Sequence, residues 1–310
     1  MPYDQSDLRT SLATTAPAAT RGTGANIPAQ YFEFDDLAPD DTSAGATTWW
    51  TRSQSIVVGF TRAKAGAVLE RSGQPDEYVV MVTDPGTSVE AGAGAQRVTA
   101  QGRALLVMPP GASSVTATSD ATIVRLFTTQ SDDLAARCRN ADAYTEPDPN
   151  VAPFASWPSS PDGDHIRVYD IDAITADPQR FGRILRCSTF MVNWFFDSKG
   201  PRDPSKLSPH HHDDFEQLSL QLAGDYVHHI RTPWTPDMGQ WRDDAHQACA
   251  SPAVTVIPPP AIHTSQAVGD GSHLLIDIFA PPRHDFSARP GWVVNADEYP
   301  MPETVAEPVG

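Results

Sequence analysis

Short apolar runs, each stopped by glycine or proline, recur along this chain and narrow its fold more than any other feature. Ser55-Ile-Val-Val-Gly-Phe60, Glu77-Tyr-Val-Val-Met-Val-Thr83, Ala104-Leu-Leu-Val-Met108 and Ala121-Thr-Ile-Val-Arg-Leu-Phe-Thr128 set the pattern in the first half. The second half repeats it in Phe190-Met-Val-Asn-Trp-Phe-Phe196, Glu216 to Leu222, Tyr226 to Arg231, Val254 to Ile257 and His273 to Phe279. Runs this short, punctuated by 29 prolines and 20 glycines, read as strands joined by turns. Helical periodicity is scarce. Ser131 to Asn140, with Ser131 as N-cap and acids in the first turn, is the best helix candidate, followed by a short turn at Asp172 to Asp177. The chain is expected to be all-β.

At 310 residues the chain has room for two domains, each with its own core. Pro147, Pro149, Pro153, Pro158 and Pro161 crowd the middle and predict a proline-rich linker over 141–164. The expected layout is a disordered Thr/Ala/Gly-rich leader (1–30), a first domain (31–140), the linker, a second domain (165–300) and a tail (301–310). The halves share an order of events: apolar strand, acidic turn, Glu-led strand, glycine turn, a strand ending in Pro-Pro, then a last strand. Setting Glu77 against Glu216 places Arg71, Gly73 and Ser114 where the second half has His210, His212 and His263. This is a repeat at domain scale, with a first copy that lacks the histidines.

The net charge of −17 argues against nucleic acid and anionic membrane as partners, since both need basic surface. There is no apolar run of 18 residues, and the first residues carry Asp4 and Asp7 with no apolar core of a signal peptide. Cys138, Cys187 and Cys249 are far apart and odd in number, as expected of reduced thiols in the cytoplasm. The expected partner is a small-molecule substrate, with a homo-oligomer as an option through barrel edges.

Chemistry concentrates in Ser208-Pro209-His210-His211-His212-Asp213-Asp214-Phe215-Glu216-Gln217 and, further on, in Val256-Ile257-Pro258-Pro259-Pro260-Ala261-Ile262-His263. On a strand His210 and His212 point to one face. A turn can return Glu216 beside them, and His263 can arrive from a later strand. Three imidazoles and a carboxylate then form a ligand set for a divalent metal. The plainer reading is a solvated histidine-rich loop with Glu216 merely starting a strand. His211 falls on the opposite face and is expected to be exposed, with Asp213 and Asp214 in the turn.

At these residues the chain resembles the cupin superfamily. The family's first motif, G-x5-H-x-H-x3,4-E-x6-G, is followed by His210-x-His212-x3-Glu216-x7-Gly224, with one residue more before the glycine. Gly200 stands as its leading glycine, displaced by an insertion over Pro201–Pro209. The second motif, G-x5-P-x-G-x2-H-x3-N, is echoed in Pro258-x-Pro260-x2-His263, with proline for its glycine and Ala267 for its asparagine. The resemblance implies two tandem cupin barrels (double-stranded β-helix, jelly-roll), the N-terminal one degenerate. It implies His210, His212, Glu216 and His263 as metal ligands in the C-terminal barrel.

Such a set suits Fe(II), Mn(II), Ni(II), Zn(II) or Cu(II), with Fe(II) the expected ion. Alternation nominates the surrounding pocket. Phe190, Val192, Trp194 and Phe196 share a face, as do Tyr226, His228 and Ile230. Tyr226 and His228 are expected inside because Arg231 is costly there. Trp194 and Tyr226 are the candidate substrate-pocket residues, and His228 the candidate acid–base. A tryptophan at a position like Trp194 is more often core than substrate platform, and His228 is equally at home on a strand surface.

Three functions fit. One is a mononuclear non-haem dioxygenase on a small chelating substrate, aromatic ones included. Another is a metal-dependent isomerase of a sugar acid, as in uronate ketol-isomerases of the cupin type, with His228 moving the proton. The third is a non-catalytic ligand-binding bicupin.

Overall fold

The computed structural model describes residues 27–303, apart from residue 178, and nearly every regular element in them is a strand. The expected leader and tail lie largely outside the described residues. Two seven-stranded antiparallel sheets dominate, one per half, each backed by a smaller sheet of four strands in the first half and three in the second. The N-terminal large sheet runs Ala104–Met108, Tyr78–Val82, Ala121–Thr128, Ile56–Ala63, Ala46–Arg52 and Asp41–Ser43. Its C-terminal counterpart runs Ala253–Ile257, Gln217–Ala223, Ser272–Phe279, Met191–Phe195 and Gly182–Arg186.

Each large sheet has two buried faces, which is why its strands read as continuous apolar runs. One face of each meets the other half. Val58, Phe60, Val79, Met81 and Leu126 pack there with Val192, Trp194, Leu218, Leu220 and Ile278 in one core. Burying an aliphatic or aromatic side chain stabilises by about 1.5–3 kcal/mol, so this seam joins the barrels firmly. The opposite face of each sheet lines its own barrel, and here the halves diverge. In the N-terminal barrel it carries Val57, Tyr78, Val80, Val82, Leu106 and Met108, closed over by Val89, Ala91 and Val115 of the four-stranded sheet. In the C-terminal barrel the matching strand presents Gln217, Ser219 and Gln221, all buried.

The halves also exchange strands. Gln30–Glu33, the first strand of the chain, pairs with Ala253–Ile257 of the C-terminal sheet. Arg167–Asp170, the first strand after the linker, pairs with Ala104–Met108 of the N-terminal sheet. Each side of the expected linker, 141–164, therefore contributes one edge strand to the sheet of the other half.

The linker does not hang free. Ala152 N donates to Asp214 O (2.7 Å) and Trp157 N to Ser188 O (2.7 Å), tying 141–164 to the C-terminal half. The helix expected over Ser131–Asn140 is one turn, Asp132–Ala135, followed by a 3-10 turn at Ala141–Tyr144. Ser131 does not cap it, because its hydroxyl donates to Gln74 Oε1 instead (3.2 Å). Asp172–Asp177 is turn and coil.

Candidate metal centre

His210 and His263 meet as a two-residue bridge across the mouth of the C-terminal barrel. His210 N donates to His263 O (3.0 Å) and His263 N to His210 O (2.7 Å). His212 follows on the same face, two residues beyond His210. The ring centroids lie 4.4 Å (His210–His263), 5.1 Å (His210–His212) and 5.2 Å (His212–His263) apart. One ring nitrogen from each falls within 4.8 Å of the others, close enough to share an ion. All three rings are buried.

Backbone carbonyls set two of the tautomers. His210 Nδ1 donates to Ser208 O and His263 Nδ1 to Ala261 O, both at 2.9 Å, which leaves each Nε2 with its lone pair. His212 is wedged against Phe215 (4.5 Å, stacked) and Phe279 (5.7 Å, edge-on). Burial first, then the Arg283 guanidinium and the two neighbouring histidines, holds it well below the ordinary imidazole range, and therefore neutral. Clustered buried imidazoles, two of them holding Nε2 unprotonated through a carbonyl bond at Nδ1, are a donor set a divalent transition metal takes.

Glu216 is not with them. Its carboxylate points into the seam between barrels, accepting from Gln54 N (2.7 Å) and Tyr144 OH (3.3 Å). The reason is the strand period of two: Gln217, Ser219 and Gln221 face the barrel interior, so Glu216, Leu218 and Leu220 face away. The residue that does reach the histidines is Gln217, whose Oε1 lies 2.9 Å from His212 Nε2. Its Nε2 donates to Ser219 Oγ (3.0 Å) and to Asp277 Oδ1 (3.2 Å), and Ser219 Oγ also donates to Asp277 (2.8 Å). The signal was in the chain: counted from Gln217 the motif reads His212-x4-Gln217-x6-Gly224, with no surplus residue before the glycine.

A cavity of about 520 Å³ opens onto the centre, reaching His210, His263, Gln217 and Asp277. Phe181, Phe195 and Phe196 wall it, and Lys199 and Arg202 stand in the same lining. Tyr226 lines it too, edge-on to His273 (5.5 Å). Neither His273 nor Asp277 has motif spacing, and only the folded sheet brings them in.

Two other expectations are corrected by position. Trp194 is fully buried in the seam between barrels, because Met191, Asn193 and Phe195 take the interior face of its strand. His228 faces the interior, as alternation required, but does not line the cavity. Gln221 contacts its Nε2, and Ser265 Oγ lies 2.9 Å from its Nδ1. Burial, and then His263 and His229, pushes it down to about 3. It is a neutral strut between two strands. His211 is on the surface, 3.4 Å from Asp213.

The N-terminal barrel shows what filling this place looks like. Arg71 pairs with Ser113 as His210 pairs with His263. Tyr78 takes the register of Gln217, and Arg125 that of Asp277. Tyr78 OH bonds Ser113 Oγ (2.8 Å) and its ring stacks on Phe127 (4.7 Å), so a phenol occupies the space the other barrel leaves open. The partner of His263 in the repeat is thus Ser113, one residue before the Ser114 read from alignment.

Two jelly-roll barrels in tandem, one packed solid and one holding a histidine cluster over a cavity, make up a bicupin-type fold. No family model matches the chain, and neither does any curated protein. Solved structures do. The chain is similar to oxalate decarboxylase of Lactobacillus farciminis in a formate complex, with 15% identity over 84% of this chain and 88% of that one (TM-score 0.58). It is similar to a variant of Bacillus subtilis oxalate decarboxylase (14%, 83% and 78%, TM-score 0.56) and to AerE from Microcystis aeruginosa (12%, 79% and 97%, TM-score 0.52). The shared property is the bicupin fold.

Proposed function

We propose that the C-terminal barrel is a mononuclear metal centre acting on a small anionic, chelating substrate, with the chemistry of a non-haem Fe(II) dioxygenase. One observation carries this reading: three buried imidazoles converge at the end of a cavity that also holds aromatic walls and two cationic side chains. His210, His212 and His263 would hold the ion. Bound there, a redox-active divalent metal supplies exchangeable positions for substrate oxygens and O2.

The protein's own residues do the rest. Lys199 and Arg202 give a positive mouth to a chain of net charge −17, which selects an anion against the general field. Phe181, Phe195 and Phe196 exclude water and hold a flat or apolar substrate body. Asp277, in the same lining, accepts from Gln217 and Ser219 and holds them in place. The compartment we assign is the cytoplasm, on three buried, unpaired thiols.

Lys199 and Arg202 also favour a second reading, the sugar-acid isomerase, whose substrate is likewise an anion. Two measurements decide. Elemental analysis of protein isolated without oxygen should find iron, and candidate catechols, hydroquinones and hydroxy acids should drive stoichiometric O2 uptake. Anaerobic turnover of a uronate with no O2 demand would replace the dioxygenase by the isomerase.

A further inference from the structure

The ligand set of the proposed centre lacks a carboxylate, and the amide of Gln217 stands in its place. Asp277 Oδ1 accepts from both Gln217 Nε2 and Ser219 Oγ, and the same Nε2 donates to Ser219 Oγ. The amide nitrogen of Gln217 must therefore face Asp277, and its oxygen must face His212. Ser219 reinforces the orientation from the same side. The result is a carbonyl oxygen directed toward His212 and held against an amide flip by a half-buried network of Ser219 and Asp277.

The spacing fits a shared ion. Two ligands on neighbouring positions of a metal with bonds of about 2.0–2.1 Å lie roughly 2.9 Å apart. Gln217 Oε1 and His212 Nε2 lie 2.9 Å apart, hydrogen-bonded through an Nε2 proton that an ion between the two atoms would displace. In the N-terminal barrel the matching register holds Tyr78, which is turned to Ser113.

We infer that Gln217 Oε1 is the fourth protein ligand, giving a neutral three-histidine, one-amide set, and that Asp277 is the positioning residue that fixes its orientation. The inference rests on the metal centre proposed above. A neutral set leaves the full charge of a divalent ion uncompensated by its ligands, so the exchangeable positions favour anionic oxygen donors. That agrees with the cations of the cavity lining.

Co(II) titration of the metal-free full-length protein tests it, reading both affinity and the visible d–d spectrum. Wild type should bind one ion. Gln217→Leu should weaken binding and alter the spectrum, and Asp277→Leu should weaken it by about 10- to 100-fold through the loosened amide. The exchange Gln217→Glu with Asp277→Asn restores a carboxylate to the ligand position and an amide behind it. It should bind more tightly than wild type, with a third spectrum, which a purely structural role for either residue would not produce. Unfolding curves of the metal-free forms identify any variant that has lost its fold, and the exchange variant then carries the test. Wild-type affinity and spectrum retained in a folded Gln217→Leu, or in the exchange variant, would overturn the inference and leave the three-histidine centre standing. Failure of wild type to bind Co(II) would sink the metal centre itself, and this inference with it.

Discussion

Glu77 and Glu216 occupy one position in the two barrels, and each reaches across the seam to grip the opposite half. Glu216 accepts from Gln54 N, in the hairpin between Ala46–Arg52 and Ile56–Ala63, and from Tyr144 OH. Glu77 accepts from Ser188 N (3.0 Å) and Ser188 Oγ (2.5 Å), in the hairpin between Gly182–Arg186 and Met191–Phe195, and from Tyr299 OH (2.9 Å). A glutamate, a hairpin and a tyrosine thus repeat with the halves interchanged. The glutamate present in both copies belongs to the seam, which explains why it stands in the first half without histidines.

Glu216→Gln should therefore leave metal content unchanged while altering stability. Burial raises the Glu216 carboxyl from 4.5 to about 7, against the lowering effect of Ser53 and Gln54. The folded state then binds more protons than the unfolded one between those values, so stability falls as pH rises through pH 4.5–7. Denaturant midpoints at pH 5 and pH 8 should show a decline in wild type, on the order of 3 kcal/mol, that the glutamine variant lacks. Loss of metal in that variant would return Glu216 to the ligand set.

His228→Gln should act in the opposite direction. With its imidazole depressed from 6.5 to about 3, the folded chain refuses a proton that the unfolded chain takes. The contribution is complete above pH 6.5 and is lost as pH falls toward 3. The variant should show a flatter acid limb of stability. A pH–rate profile that shifts with this substitution would instead make His228 a proton carrier.

His263→Ala should abolish metal retention, since one of three imidazoles is gone from a site that has no neighbouring carboxylate ligand to compensate. Losses of more than about 10- to 100-fold in affinity are expected. Metal content after dialysis against a weak chelator is the measurement. Retention of a full equivalent would mean that the cluster is not the binding site.

Trp194→Ala should cost about 3–5 kcal/mol of stability by opening a cavity in the seam. Substrate affinity of the folded fraction should stay at the wild-type value. Tyr226→Ala, in the cavity lining, should do the reverse and raise KM with a smaller loss of stability. Steady-state kinetics beside thermal melts separate the two.

The strands were legible because sheets buried on both faces concentrate apolar residues into runs that glycine and proline must interrupt. The histidines were legible because His210 and His212 sit two apart and a proline turn precedes His263. What escaped was parity. Reading the motif one residue short placed Glu216 inside and Gln217 outside, and a slip of one residue on a strand inverts the face of every side chain. Asp277 and His273 lie on a strand whose approach to the cavity depends on sheet order, which no local spacing encodes. Ser131 read as a helix cap because its identity was right, yet Gln74, distant in sequence, claims its hydroxyl.

The exchanged strands give the silent half of this protein a task. Gln30–Glu33 borders the sheet that carries Gln217, and Arg167–Asp170 borders the sheet of the solid barrel. A cut within 141–164 would separate two fragments, each missing an edge strand and exposing an apolar seam to water. Neither barrel is a module that can be discarded or transplanted. The half without histidines persists as a wall of the half that has them.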